Sequence, residues 1–240
     1  MAMMIGTPNL IDSLITISNR RSDSGETVES TMEILRAKSI VSRTFLNLSW
    51  SLDNKVLMSE NSVLVQALCR LALERQAPYK KSKTMQNILV QTRRHALSSL
   101  RNISAAPKRS KIALCNYNHG KLLETLTDVI LNETDQSVVK SSFLAIHNLA
   151  IRETAEVIVD RAALVLALKN VLLEDSDDSR GETHTIKCQC ASATILVLER
   201  AITPDKASYE NFRELLDTIN PSNSVGSTDE STTDLNATAV

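Results

Sequence analysis

The sequence predicts an all-α fold of stacked helical units, and three observations carry that reading. A short phrase returns after each long helical stretch: Leu46-Asn47-Leu48-Ser49, then Leu100-Arg101-Asn102-Ile103-Ser104, then Ile146-His147-Asn148-Leu149-Ala150. Its asparagines stand 55 and then 46 residues apart (47 to 102, 102 to 148), near the roughly 40 to 47 residue period of helical arrays. Hydrophobic residues make up 42% of the 240 and aromatics only 3%. The core is therefore built from Leu, Ile, Val and Ala, which suits packed helices better than a sandwich or barrel. Five glycines are also few for the turns of a β-rich chain.

The unit from Ser104 to Ala150 sets the pattern. Ile112, Ala113 and Cys115 predict a short helix after Pro107, since proline is tolerated in a first turn where its missing N–H has no partner to lose. Gly120 breaks that helix. Leu122, Leu123, Leu126, Val129 and Ile130 follow at spacings of three and four, an amphipathic second helix ending near Asn132. A third begins around Gln136, with Val139, Phe143, Ile146 and Leu149 in one apolar row and Val138, Ala145 and Ala150 widening it, so it packs between neighbours.

Other stretches repeat the order. Asp53 to Leu73 reads as a first and second helix with Asn61 in the place of the glycine, asparagine being the other residue that tolerates a left-handed backbone. The third helix of that unit is expected from about Lys83 to Ser104. A further unit covers Ile151 to about Arg200, with Asp160-Arg161-Ala162 where the glycine should be and Val197 at the asparagine position. At the start, Gly6 to Ile15 matches a glycine and second helix whose first helix is almost absent. Residues 1 to 18 are then an irregular cap, or the chain is a fragment of a longer array. Tyr209, Phe212, Leu215, Leu216 and Ile219 form a last amphipathic helix placed to close the stack. The helical repeat domain is thus assigned to residues 1–219, and the Ser/Thr/Asp-rich stretch 220–240 to a disordered tail with too little apolar surface to fold.

Short helix, glycine, helix, long helix ending in Leu-x-Asn-Leu-Ala resembles the armadillo repeat. The resemblance covers roughly residues 5 to 200 and implies a right-handed α-solenoid of roughly four units, the first incomplete. In armadillo proteins the third helices line a concave groove, and the asparagine of the phrase commonly hydrogen-bonds the backbone of an extended peptide. Carried onto this chain, that implies Asn47, Asn102 and Asn148 as partner-binding residues. An amide suits the task because it offers one donor group and one acceptor to each peptide unit. The competing reading is an asparagine at a helix end satisfying its own backbone.

Positions eight, seven, four and one before each asparagine share its face of the helix. They are Ser39, Ile40, Arg43 and Leu46, then Arg94, His95, Ser98 and Arg101, then Lys140, Ser141, Leu144 and His147, with Arg36 one turn before Arg43. None is acidic. A groove lined by Arg36, Arg43, Arg94, His95, Arg101, Lys140 and His147 fits an acidic or phosphorylated segment, because guanidinium pairs bidentately with carboxylate and phosphate. Import receptors of the importin-α type instead carry Trp four residues before the asparagine and surround the groove with acids. Here those positions are Arg43, Ser98 and Leu144, and the one tryptophan, Trp50, follows the phrase.

The function expected is a protein–protein interaction scaffold or adaptor gripping such a segment. The alternatives are a nuclear transport adaptor, or a fragment of a larger multidomain protein whose activity lies elsewhere. A net charge of −1 gives no bulk signal for nucleic acid. The longest apolar run, Ala162 to Leu173, is far short of the roughly 20 residues that span a bilayer. Cys69, Cys115, Cys188 and Cys190 lack the spacing of a disulfide framework, which favours a cytoplasmic or nuclear protein. His184, Cys188 and Cys190 have residue types that bind zinc but no fourth ligand, and no metal or other cofactor is expected. No Gly-rich phosphate loop or Gly-x-Ser-x-Gly elbow points to an enzyme. Lys80-Lys81-Ser82-Lys83 resembles a short nuclear-localisation run. Glu174-Asp175-Ser176-Asp177-Asp178 is an acidic insertion, and Thr238-Ala239-Val240 fits a PDZ-domain ligand through Thr238 and Val240.

Overall fold

The structure, a computed structural model, describes residues 9–20, 27–74, 82–173, 181–202 and 207–217. The tail 220–240 with Thr238 and Val240, Ile219, the acidic insertion 174–178, and Lys80 and Lys81 lie outside the described residues.

Every regular element among the described residues is helical: α1 Leu10–Asn19, α2 Val28–Leu48, α3 Leu52–Glu60, α4 Ser62–Ala72, α5 Lys83–Ser104, α6 Lys108–Asn116, α7 Lys121–Asn132, α8 Gln136–Leu149, α9 Ala155–Val159, α10 Ala162–Leu173, α11 Gly181–Ala201 and α12 Ala207–Asp217, with a 3-10 turn at Tyr117–Gly120. The starts are written in the sequence as side-chain caps that satisfy an otherwise orphaned N–H. Thr27 Oγ1 accepts from the Ser30 N–H before α2, and Asn61 Oδ1 from Leu64 before α4. Ser82 Oγ accepts from Met85 before α5, and Asp135 Oδ1 from Val138 before α8.

Asn61 corrects the expectation that it mimics a left-handed glycine. Its φ is −87°, an extended conformation in which the side chain can cap α4. Positive φ is concentrated at the α6–α7 junction, in Asn118, His119 and Gly120 (42°, 56° and 85°). The fourth unit makes the same break at Asp160 and Arg161 without a glycine, with Asp160 at φ −61° and ψ −7°.

Helices of equivalent position in successive units are neighbours. Among the long third helices, α2 packs on α5, α5 on α8 and α8 on α11. The second helices run α1, α4, α7, α10, and the first helices α3, α6, α9. Within a unit, α4 packs on α5, α7 on α8 and α10 on α11, while α12 lies against α9 and α10. One cluster of buried apolar side chains runs from Ile11 in α1 to Phe212 in α12. A smaller one, Leu35 with Met85 and Leu89, fills the contact between the amino-terminal halves of α2 and α5. Phe45, Phe143 and Phe212 are the bulkiest fully buried side chains. Buried cysteines behave as small apolar fillers: desolvation pushes the Cys69 thiol up to about 11 and Cys115 up to about 12.

Gly120 is required by its backbone: its φ of 85° disfavours any side chain, whereas a Cβ there would meet only the tip of the flexible Arg161 side chain, which can move aside. The Arg161 guanidinium donates to the His119 carbonyl and to Glu124 Oε1, tying the α6–α7 corner to the next unit. Gly120→Ala should cost about 1–2 kcal/mol of unfolding free energy from the left-handed backbone alone, read as a lower urea midpoint. An unchanged midpoint would mean that the junction adopts another conformation.

Candidate partner-binding face

The third helices α2, α5, α8 and α11 are each flanked by the next, and one stripe of each stays turned to solvent. On α2 the exposed stripe is Glu33, Arg36, Ile40, Arg43 and Asn47, with Trp50 just beyond the helix end. Arg94 is exposed on α5, with Ser98 and Arg101 half-buried, and α8 presents Lys140, Leu144, His147 and Asn148, all half-buried. The residues predicted for the groove thus range from exposed to buried, and their side chains are differently engaged.

Asn102 is buried (7% exposed). Its Nδ2 donates to Ser49 Oγ at 2.9 Å and its Oδ1 accepts from Arg101 Nη2 at 3.3 Å, so both ends of the amide are used within the chain. Asn148 Nδ2 donates to the Arg101 carbonyl at 3.2 Å. Each of these asparagines thus reaches back to the carboxy-terminal end of the preceding third helix. The Asn47 side chain is exposed and makes no hydrogen bond among the described residues.

The basic residues divide in the same way. Arg94 makes a bidentate pair with Asp135, Nε to Oδ1 at 3.1 Å and Nη2 to Oδ2 at 2.6 Å. The hydrogen bond from Arg94 is the largest effect holding the Asp135 carboxyl below its ordinary 3.8. Arg101 is turned onto Asn102. Burial, and after it the nearby Arg43 guanidinium, lowers the pKa of His95 from its ordinary 6.5. His95 is therefore neutral at pH 7 and sits with Nδ1 3.5 Å from Ser42 Oγ. His147 Nδ1 is buried without a hydrogen-bond partner. Arg36, Arg43 and Lys140 have no acidic partner within ion-pair distance among the described residues.

Two further cations, absent from the predicted stripe, anchor the middles of α2 and α5. Lys38 pairs with Glu74 at 2.9 Å. Arg93 pairs with Glu133 at 2.6 Å, both side chains less than a tenth exposed, and donates to the Glu74 carbonyl at 3.0 Å. Asp135 caps the start of α8. Its pairing with Arg94, like that of Glu133 with Arg93, becomes visible only once one unit is set beside the next.

Among the described residues no group of three or more His, Cys, Asp and Glu side chains is gathered as a metal site would need. Cys188 Sγ and His184 Nε2 are 3.4 Å apart, and Cys190 is buried. No helix among the described residues is long and apolar enough to cross a membrane. No family model matches the chain, and no curated protein matches it.

Two measurements separate stapling from open positions. Asn102→Ala should lower stability by about 1–2 kcal/mol, the cost of leaving a buried partner unsatisfied. Asn47→Ala should stay within about 0.5 kcal/mol in the same urea titration; equal effects would contradict the assignment. The Asp135 shift also fixes a sign. A carboxyl lowered by folding contributes stability that is fully present above its unfolded value of 3.8 and is lost as pH falls through the lower folded value. Asp135→Asn keeps a capping side chain and should flatten this acid limb by no more than about 1 kcal/mol, because Arg94 is half exposed.

Proposed function

We propose that this chain is an armadillo-type α-solenoid acting as a protein-binding scaffold, with the α2–α5–α8–α11 face as a groove for an acidic or phosphorylated segment of a partner protein. Support for the solenoid is the neighbour order of the helices, with first, second and third helices each contacting their counterparts in successive units. Stacked units of this kind present one extended surface, which suits gripping another chain. The observation that carries the binding reading is that Arg36, Arg43 and Lys140 stand on this face without an acidic partner within ion-pair distance among the described residues, while Arg94 and Arg93, nearby in the row, are already paired. A positive surface with unsatisfied guanidinium groups favours carboxylate or phosphate.

Arg43→Glu combined with Lys140→Glu reverses charge on two helices without touching a buried contact. The pair should weaken binding of acidic or phosphorylated peptides about tenfold or more, and wild-type affinity should fall as ionic strength rises, since exposed charges are screened over about 8 Å at physiological salt. Fluorescence anisotropy with acidic, phosphorylated and basic peptides checks this; tighter binding of the basic set would overturn the proposal.

A further inference from the structure

Resting on the acidic-segment reading, we infer that the face has one anchoring site, the exposed stripe of α2, and that it takes an acidic segment of a partner protein with a large apolar side chain between two carboxylates. Among the described residues, the two most exposed large apolar side chains are Ile40 (67%) and Trp50 (64%). Ile40 lies with Glu33, Arg36, Arg43 and Asn47 at the three-and-four spacing of one face of α2, and Trp50 follows just beyond the helix end. Apolar exposure, unpaired arginine and an unbonded amide therefore coincide on one helix.

No other third helix combines these features among its described residues. On α5 the exposed arginine is spent on Asp135, Arg101 is turned to Asn102, and the amide of Asn102 is buried. On α8 Leu144 is half-buried and packs against the core, and Asn148 is bonded to Arg101. On α11 Leu196 is 45% exposed, but the asparagine position holds Val197, and Cys190, at the place Ile40 takes on α2, is buried.

The chemistry of the partner follows from the spacing. Arg36 and Arg43 are two helical turns apart, about 10 Å along the axis, with Ile40 between them. In an extended chain side chains alternate faces, so residues two and four apart share one face, and residues four apart are separated by about 13 Å, within reach of two flexible guanidinium groups. Two carboxylates at i and i+4, with an aliphatic or aromatic residue at i+2, place one acid over each guanidinium and an apolar side chain on Ile40. Asn47 then offers its amide to the peptide backbone, and Trp50 covers the next apolar residue along. Exposed aromatic and arginine side chains are the types that dominate binding energy at interfaces.

The test is selection of random dodecapeptides displayed on phage against the immobilised full chain, then anisotropy titration of the strongest peptide as a synthetic, labelled compound. Enriched peptides should carry Asp or Glu four apart with Leu, Ile, Met or Phe midway between them. Arg36→Glu with Arg43→Glu should weaken the synthetic peptide about tenfold or more, and Ile40→Ser and Trp50→Ser about fivefold or more each. Arg94→Ala should leave affinity within about threefold, and the melting temperatures of the α2 variants should match wild type because these side chains are exposed. Acidic peptides whose binding ignores the α2 variants but falls with Lys140→Glu would overturn the α2 anchor and leave the acidic-segment reading standing. Enrichment of basic or uncharged peptides, or of none, would overturn both.

Discussion

Two successive pairs of third helices, α2 with α5 and α5 with α8, are tied by polar contacts both from mid-helix and at the carboxy-terminal end, and the register of the row depends on that double clamp. From mid-helix, Lys38 of α2 reaches Glu74 ahead of α5, and Arg93 of α5 reaches Glu133 ahead of α8. At the carboxy-terminal ends, Asn102 reaches Ser49 and Asn148 reaches the Arg101 carbonyl. Apolar packing between two helices is non-directional and tolerates sliding. Hydrogen bonds and ion pairs do not, so these contacts fix which turn of one helix lies beside which turn of the next.

The buried pair is the more demanding half of the clamp. Arg93 and Glu133 lose most of their water, and such a pair recovers its desolvation cost only when further hydrogen bonds complete it. Arg93 finds one in the Glu74 carbonyl, and Glu133 Oε1 accepts from the backbone N–H groups of Thr134 and Asp135. The carboxylate that neutralises Arg93 therefore also shapes the connection into α8. That places Asp135 where it can cap the helix with one oxygen and receive Arg94 with both.

Much of the fold was legible because its signals are local. Third-helix bounds at Lys83, Ser104 and Gln136 follow from apolar periodicity and a Ser or Asp cap, and Gly120 stands at the positive φ expected of it. Asn61 was misread because two local rules compete for asparagine, a left-handed backbone and an N-terminal cap, and the choice depends on whether the next helix starts at once. The candidate face was legible only as a list of positions. Helical spacing groups residues within one helix, yet it cannot show that Asp135, 41 residues after Arg94, arrives beside it. Partner choice between units is a property of their register, and register is set by the contacts that distance along the chain conceals.

The recurring asparagine shows why the same phrase can carry different duties along one stack. Asn102 and Asn148 each have a preceding third helix to reach back to, and both donate to it. Asn47 belongs to the first of the four third helices, so the acceptor that its equivalents find in an earlier unit does not exist among the described residues. Its amide is left on the surface. Arg36 and Arg43 stay unpaired for a different reason: the carboxylates that quench cations in this row precede α5 and α8 and engage Lys38, Arg93 and, at the rim, Arg94, none of which lies on the exposed stripe of α2. The repeated units are therefore chemically uneven. Contacts between them consume polar groups at some positions of the phrase and leave equivalent groups unspent at others.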